Sequence, residues 1–301
     1  MAKRNFIKML ENQWSKGNFV CVGLDSEFTK IPRCAQIRNV HRELDIKKTL
    51  VQFNCAIIKA TRDLVCAYKP NTAFYEAYGS DGIEALQQTI ASIHTIAPDV
   101  PVILDAKRGD IGNTNAGYVS MAFDFLQADA ITLHSYLGSE ALEPFLERSD
   151  KGIFVLCRTS NLGAGELQDL TINVPVNGIP SFIGNIGMKA PRAMPLYQYL
   201  AYRVSRQWNR NGNCALVVGA TYPDELRDVR EIVGDMPILI PGIGAQGGDV
   251  GKTVSAGKDA HGQGMVINSS RAIIFASQNE DFAEIARDKT KILHNLINQY
   301  R

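Results

Sequence analysis

The chain has no bias of charge: 32 Lys and Arg stand against 31 Asp and Glu in 301 residues, a formal net charge of +1. Proteins that hold polyanions or lie on membrane surfaces carry a basic excess, so neither nucleic acid nor a membrane is an expected partner. Long hydrophobic runs are missing too, and nothing approaches the roughly 20 apolar residues of a bilayer-spanning helix. The opening MAKRNFIKMLENQW has no continuous apolar core and no small-residue cleavage site, so it is not expected to act as a secretory signal. The six cysteines (Cys21, Cys34, Cys55, Cys66, Cys157, Cys214) form no C-x-x-C pair. Four of them sit in or beside apolar runs, where a free Cys behaves as a small core residue. No His, Cys and Asp grouping has metal-ligand spacing. Linkers, repeats and low-complexity segments are also absent. A reduced, cytoplasmic protein of one domain, residues 1–301, is the expectation.

What is present is a recurring short apolar run. Eight occur: NFVCVGLD (18–25), LVCAYKP (64–70), VPVILDAK (100–107), DAITLHS (129–135), KGIFVLCRTS (151–160), NCALVVGAT (213–221), MPILIPG (236–242) and GQGMVINSS (262–270). Continuous apolarity suits strands buried on both faces of a parallel sheet. Helical periodicity lies between them. DGIEALQQTIASIH puts Ile83, Leu86, Ile90 and Ile93 on one face, YPDELRDVREIV has Pro near its start, and DFAEIARDKTKILHNLINQY closes the chain as an amphipathic helix. Eight strands alternating with helices is the pattern of a (β/α)₈ TIM barrel, in a chain of typical length. An open doubly wound sheet gives a similar pattern, and periodicity does not separate the two. One connection is out of proportion, a Gly-, Pro- and Asn-rich loop at about 161–193. Loops of that length are functional lids or tolerated insertions.

In a barrel, chemistry sits at the C-terminal ends of the strands. Those ends carry Asp25, Lys69, Asp105 and Lys107, His134, Thr159 and Ser160, Thr221, a glycine loop, and Ser269, Ser270 and Arg271. Buried charges are costly unless paired or used, and two lysines alternating with aspartates exceed what a structural barrel needs. Asp105 and Lys107 lie two apart, so on a strand they share a face, and Lys69 on the neighbouring strand completes an alternating array. Asp110 does not fit, because it follows Gly109 where the chain turns toward a helix near NTNAGY. It caps that helix or points away from its own barrel mouth. In the second case only an Asp110 from another chain could complete the array.

PGIGAQGGDVGKT (241–253) nearly contains two nucleotide motifs. GIGAQG matches G-x-G-x-x-G, but it follows the seventh strand and lacks the acid that a dinucleotide site wants about 20 residues on. A Walker loop would need glycine at the position of Gln246. In a barrel the loops after strands seven and eight commonly hold phosphate through backbone N–H groups, and Arg271 adds a planar fork for its oxygens. A phosphate-bearing substrate is expected.

Together these motifs resemble one family. DAKRGDIGNT is similar to the D-x-K-x-x-D signature of orotidine 5′-monophosphate decarboxylases, and VGLD, YKPN, VVGAT, PGIGAQGG and the terminal SSR follow in that family's order. The likeness covers nearly the whole chain and is to the longer, bacterial-type branch. The resemblance implies a homodimeric barrel that converts OMP to UMP and CO₂ without metal or organic cofactor. It implies that Asp25 and Lys69 meet the ribose hydroxyls, that Asp105 lies beside the substrate carboxylate, and that Lys107 protonates C6. It places Asp110, with Ile111 and Thr114, in the partner's site. Ser160 would read the pyrimidine, Gln246 would bridge loop, base and phosphate, and Gly242, Gly244 and Arg271 would hold the phosphate. The long segment after Ser160 has no counterpart in that pattern. The rival readings are a magnesium-dependent sugar-phosphate lyase sharing D-x-K-x-x-D and a non-catalytic nucleotide-binding barrel. Lys69 stands where such lyases carry a metal-binding acid, which weighs against the first.

Overall fold

The computed structural model describes residues 4–174, 193–244 and 247–301. Eight short strands lie parallel: β1 Val20–Leu24, β2 Val65–Pro70, β3 Ile103–Arg108, β4 Ala130–Leu133, β5 Gly152–Arg158, β6 Cys214–Val218, β7 Ile238–Pro241 and β8 Met265–Ser269. Each falls within one of the eight apolar runs or a residue beyond it. Seven neighbouring pairs run unbroken from β2 through β1, β8, β7, β6, β5 and β4 to β3. The ring closes between β2 and β3 through parallel bridges at Tyr68–Val102 and Asn71–Asp105, with Tyr68 N–H donating to Pro101 O at 3.1 Å. Closure is what periodicity left open, and it makes the fold a (β/α)₈ TIM barrel. Val, Ile, Leu, Ala and Cys side chains fill it, and β1, β2, β4, β6 and β8 are buried at every position.

The helices follow from local signals. They are α1 Phe6–Ser15, α2 Ile46–Thr61, α3 Gly79–Ile96, α4 Gly112–Val119, α5 Gly138–Leu146, α6 Leu196–Arg203, α7 Pro223–Val233, α8 Val250–Gly257 and α9 Phe282–Tyr300. Asp45 caps α2 by accepting from Lys48 N–H, Asp249 caps α8 through Lys252 N–H, and Pro occupies the first turn of α7. The apolar stripe Leu86, Ile90 and Ile93 of α3 is buried. Among the described residues no helix is long and apolar enough to cross a membrane.

Helix α1 has no place in the alternation. It lies across the N-terminal end of the barrel, where Phe6 meets Phe154 of β5 edge-on at 5.5 Å and Trp14 Nε1 donates to Met265 O at the start of β8, 2.8 Å away. Arg4, just ahead of it, donates to both oxygens of the buried Asp129 at 2.8 and 2.7 Å. One mouth of the barrel is thereby plugged and the C-terminal mouth is left open.

The described part of the long connection forms a short helical turn at Gly165–Gln168 and one strand, Thr171–Asn173, paired antiparallel with Ala193–Pro195. The rest of it, 175–192, lies outside the described residues.

Candidate active site

A cavity of about 460 Å³ opens at the C-terminal mouth, bordered by Asp25, Lys69, Asp105, Lys107, Ser160, Gly242 and Arg271 from six different strand ends or the loops that follow them. Sequence order would not bring these together; the barrel does, because every strand ends on one rim.

Asp105 is the hub. Its carboxylate is buried and accepts from Lys69 Nζ at 2.9 Å, Lys107 Nζ at 2.6 Å and Thr132 Oγ1 at 2.9 Å. Burial raises the pKa of this carboxyl, and the Lys69 and Lys107 ammoniums outweigh it, holding the group well below the usual carboxylate range. Lys69 is also buried; desolvation lowers its pKa, but Asp105 and Asp25 overcome that and raise it. Asp25 Oδ1 sits 3.8 Å from Lys69 Nζ. Lys69 and Asp105 therefore stay ionised, each charge offsetting the burial cost of the other. Only Lys107 reaches outward, with its side chain 49% exposed at the cavity.

The convergence of Asp105 and Lys107 does not come from simple strand alternation. Between Leu104 and Arg108 the β3–β4 register shifts, since these pair with Ile131 and Leu133. Three residues of β3 thus stand against one of β4, a bulge of the kind that re-aims side chains beside active sites. Within it Lys107 has φ +47°, a left-handed backbone that is uncommon for a non-glycine residue and costs on the order of 1–3 kcal/mol. Gly109 follows with φ +152°, and a Cβ there would stand 2.8 Å from His134 O. Only glycine lets the chain turn against β4 at that point.

Beyond Gly109 the chain leaves the mouth. Asp110, Ile111 and Thr114 do not border the cavity of their own chain. Asp110 Oδ1 accepts from Ile111 N–H at 2.7 Å, Ile111 is 59% exposed, and Thr114 is exposed. The buried Asn115 fixes this turn by accepting from Asp110 N–H at 2.8 Å and donating to Asp110 O and Ala141 O. A groove of about 520 Å³ runs beside it, lined by Thr114, Arg108, Tyr118 and Phe125.

Two strands round the mouth from β3, Ser160 borders the cavity at the end of β5. The segment after it is strapped down twice. Arg158 Nε and Nη2 meet the two Asp169 oxygens at 2.7 and 2.9 Å, and Gln168 exchanges hydrogen bonds with Thr159, accepting from its N–H at 2.8 Å. Asn161 and Gln168 consequently line the cavity beside Ser160. Gly242 and Arg271 border it where β7 and β8 end, and Gly244 lies one step out, its side 3.1 Å from Ala272 Cβ were a Cβ present. Gln246 lies outside the described residues.

Sequence reasoning missed Thr132, Asn115 and Gln168. Thr132 is concealed in the apolar run DAITLHS. The signal for Gln168 was its position in a polar segment after a strand end, which a loop of that length does not single out. Cys21, beneath Lys69, has its thiol pushed up to about 12 by burial. Among the described residues no group of three or more His, Cys, Asp or Glu is arranged to hold a metal ion.

A closed barrel with lysines and aspartates alternating at its mouth, beside a glycine-turned loop and an arginine, defines a TIM-barrel enzyme for a phosphorylated substrate. Residues 18–285 match the model of one family of such enzymes, and the chain belongs to it: the orotidine 5′-phosphate decarboxylase / HUMPS family. It is 44% identical over 298 residues to an orotidine 5′-phosphate decarboxylase of Cellvibrio japonicus, covering 99% of both chains. The corresponding protein of Herpetosiphon aurantiacus is 46% identical over 273 residues, 91% of this chain and 90% of its own. Among solved structures, OMP decarboxylase of Leishmania donovani superposes with a TM-score of 0.76 at 34% identity, covering 98% of this chain and 99% of that one. UMP synthase of the same organism gives 0.80 at 36% identity; this chain is 99% covered but spans only 56% of that longer one.

Proposed function

We propose that this chain decarboxylates orotidine 5′-phosphate to UMP and CO₂. The observation that carries the proposal is the Lys69–Asp105–Lys107 array, in which one buried carboxylate is held between two ammoniums at the cavity. The C6–carboxylate bond breaks with its electron pair left on C6, and CO₂ departs. That pair has no conjugated sink, so the barrier is high. The Lys107 ammonium, preorganised beside C6, stabilises the developing charge and then delivers a proton from Nζ to C6, giving UMP and a neutral amine that solvent reprotonates. Asp105 accepts from the Lys107 ammonium and aims it. Asp25 and Lys69 take the ribose hydroxyls. Gly242, Gly244 and Arg271 hold the phosphate, and Gln246 bridges loop, base and phosphate. Ser160 reads the base, and the strapped-down Asn161 and Gln168 close that end of the cavity. The step needs no metal and no organic cofactor.

The functional unit is a homodimer, with Asp110, Ile111 and Thr114 entering the partner's mouth. Support comes from their position on an exposed turn outside their own cavity, locked by Asn115, beside a groove with half-exposed Phe125. Six unpaired cysteines suit the reducing cytoplasm. The metal-dependent lyase reading is disfavoured by the ammoniums already seated on the carboxylates that a cation would need. Adding OMP to the purified protein in chelator-containing buffer should bleach the orotate absorbance with CO₂ release. Activity lost to EDTA and restored by Mg²⁺ would instead favour the lyase.

A further inference from the structure

We propose that Thr132 is a positioning residue for this reaction, closing a hydrogen-bonded ring that aims Lys107. The inference rests on Lys107 being the proton donor to C6. Lys107 N–H donates to Thr132 Oγ1 at 3.0 Å, the threonine hydroxyl donates to Asp105 Oδ1 at 2.9 Å, and Lys107 Nζ donates to that same oxygen at 2.6 Å. The ring begins and ends on one residue, so it fixes both the backbone and the tip of Lys107.

The β3 bulge explains why a side chain does this work. Arg108 rather than Lys107 pairs with Leu133, so the ladder opposite Thr132 is interrupted at Lys107. Its amide, held at φ +47°, finds its acceptor in the threonine side chain instead of the sheet. The group there must accept from one side and donate to the other, and the threonine hydroxyl does both from a single oxygen. Thr132 is 1% exposed, so water does not replace it. Without the hydroxyl, attraction between Asp105 and Lys107 persists, but the direction of the ammonium is no longer set. Binding of UMP should survive and turnover should suffer.

The test is Thr132→Val, which keeps the volume and removes both hydrogen bonds. Its kcat on OMP should fall about 10- to 100-fold, the scale of a small misplacement of a reacting group, while KM and the UMP Kd stay within about threefold of wild type. Thr132→Ser should recover most of the lost kcat. A Val variant with wild-type kcat, or a Ser variant as impaired as Val, overturns the inference. Should Val fail to bind UMP, Thr132→Ala carries the same expectation; loss of UMP binding in both makes the role purely structural and also overturns it. A wild-type protein inert toward OMP would sink the functional reading and this inference together. An active wild type beside an unimpaired Val variant would sink the inference alone.

Discussion

Lys107 and Arg271 border the same cavity and should fail differently. In the proposed role Arg271 would meet the part of the substrate that does not change during reaction, so its contact would stabilise ground and transition states alike. Arg271→Ala should weaken UMP binding by about 2 kcal/mol, on the order of 30-fold in Kd, with kcat at saturation little changed. Lys107→Ala should lower kcat by roughly 10⁴-fold or more and leave the UMP Kd within about threefold. Titration calorimetry with UMP and saturation kinetics with OMP read the two quantities separately; two variants with the same profile would show that these roles are misassigned. Much at this scale was legible. Asp25, Lys69, Asp105, Lys107, Ser160, Gly242 and Arg271 could be read as candidates because a charge, a hydroxyl or a glycine at a strand end is conspicuous, and they border one cavity. Thr132 was not, because its meaning depends on a partner 27 residues away and on a bulge that no periodicity announces. Attention at that strand fell on His134, two residues on, whose carbonyl and ring crowd Gly109.

Secondary-structure elements were legible as far as they obey a repeating pattern. All eight strands announced themselves, since a strand buried on both faces cannot hide its apolarity. Helix α1 escaped because it belongs to no βα unit and its value lies in what it covers. Its anchor makes a testable contribution. Burial raises the Asp129 carboxyl, but Arg4 together with His94 and Val102 N–H overrides that, bringing it from the ordinary 3.8 to about 2. A carboxyl depressed on folding stabilises the protein fully above its unfolded pKa, and that contribution fades as pH falls through the folded value. The ionised Asp129 with these partners should thus contribute about 2 kcal/mol at pH 7, declining from near pH 4 toward pH 2. Asp129→Asn should lower stability by that amount at pH 7, and urea unfolding across this range should show the gap to wild type closing as acid is added. A gap that stayed constant or widened would mean that Asp129 acts through its shape and hydrogen bonds, not its charge.

At the scale of the whole molecule, the misfit of Asp110 becomes a statement about assembly. One chain supplies Asp25, Lys69, Asp105 and Lys107 to a single mouth, while Asp110 stands outside that mouth on a turn braced from behind by Asn115. In a symmetric dimer with isologous contacts, a residue that crosses the interface crosses it twice, so each site is built from both chains. Lys107→Ala and Asp110→Ala homodimers should then each be nearly inactive, because every site lacks one member of the array. A mixed dimer distributes the lesions unevenly. One of its sites carries both, and the other joins an intact Lys107 from one chain to an intact Asp110 from its partner. Random mixing of equal amounts makes about half the dimers mixed, so roughly a quarter of wild-type sites should reappear. Activity of the mixed sample, with subunit exchange verified by differently tagged chains, is the measurement. If Asp110 served its own barrel, every site in every dimer would keep one lesion and mixing would restore nothing. A recovered quarter would place the aspartate in the partner's site and make the dimer, not the barrel, the smallest unit able to carry out the reaction.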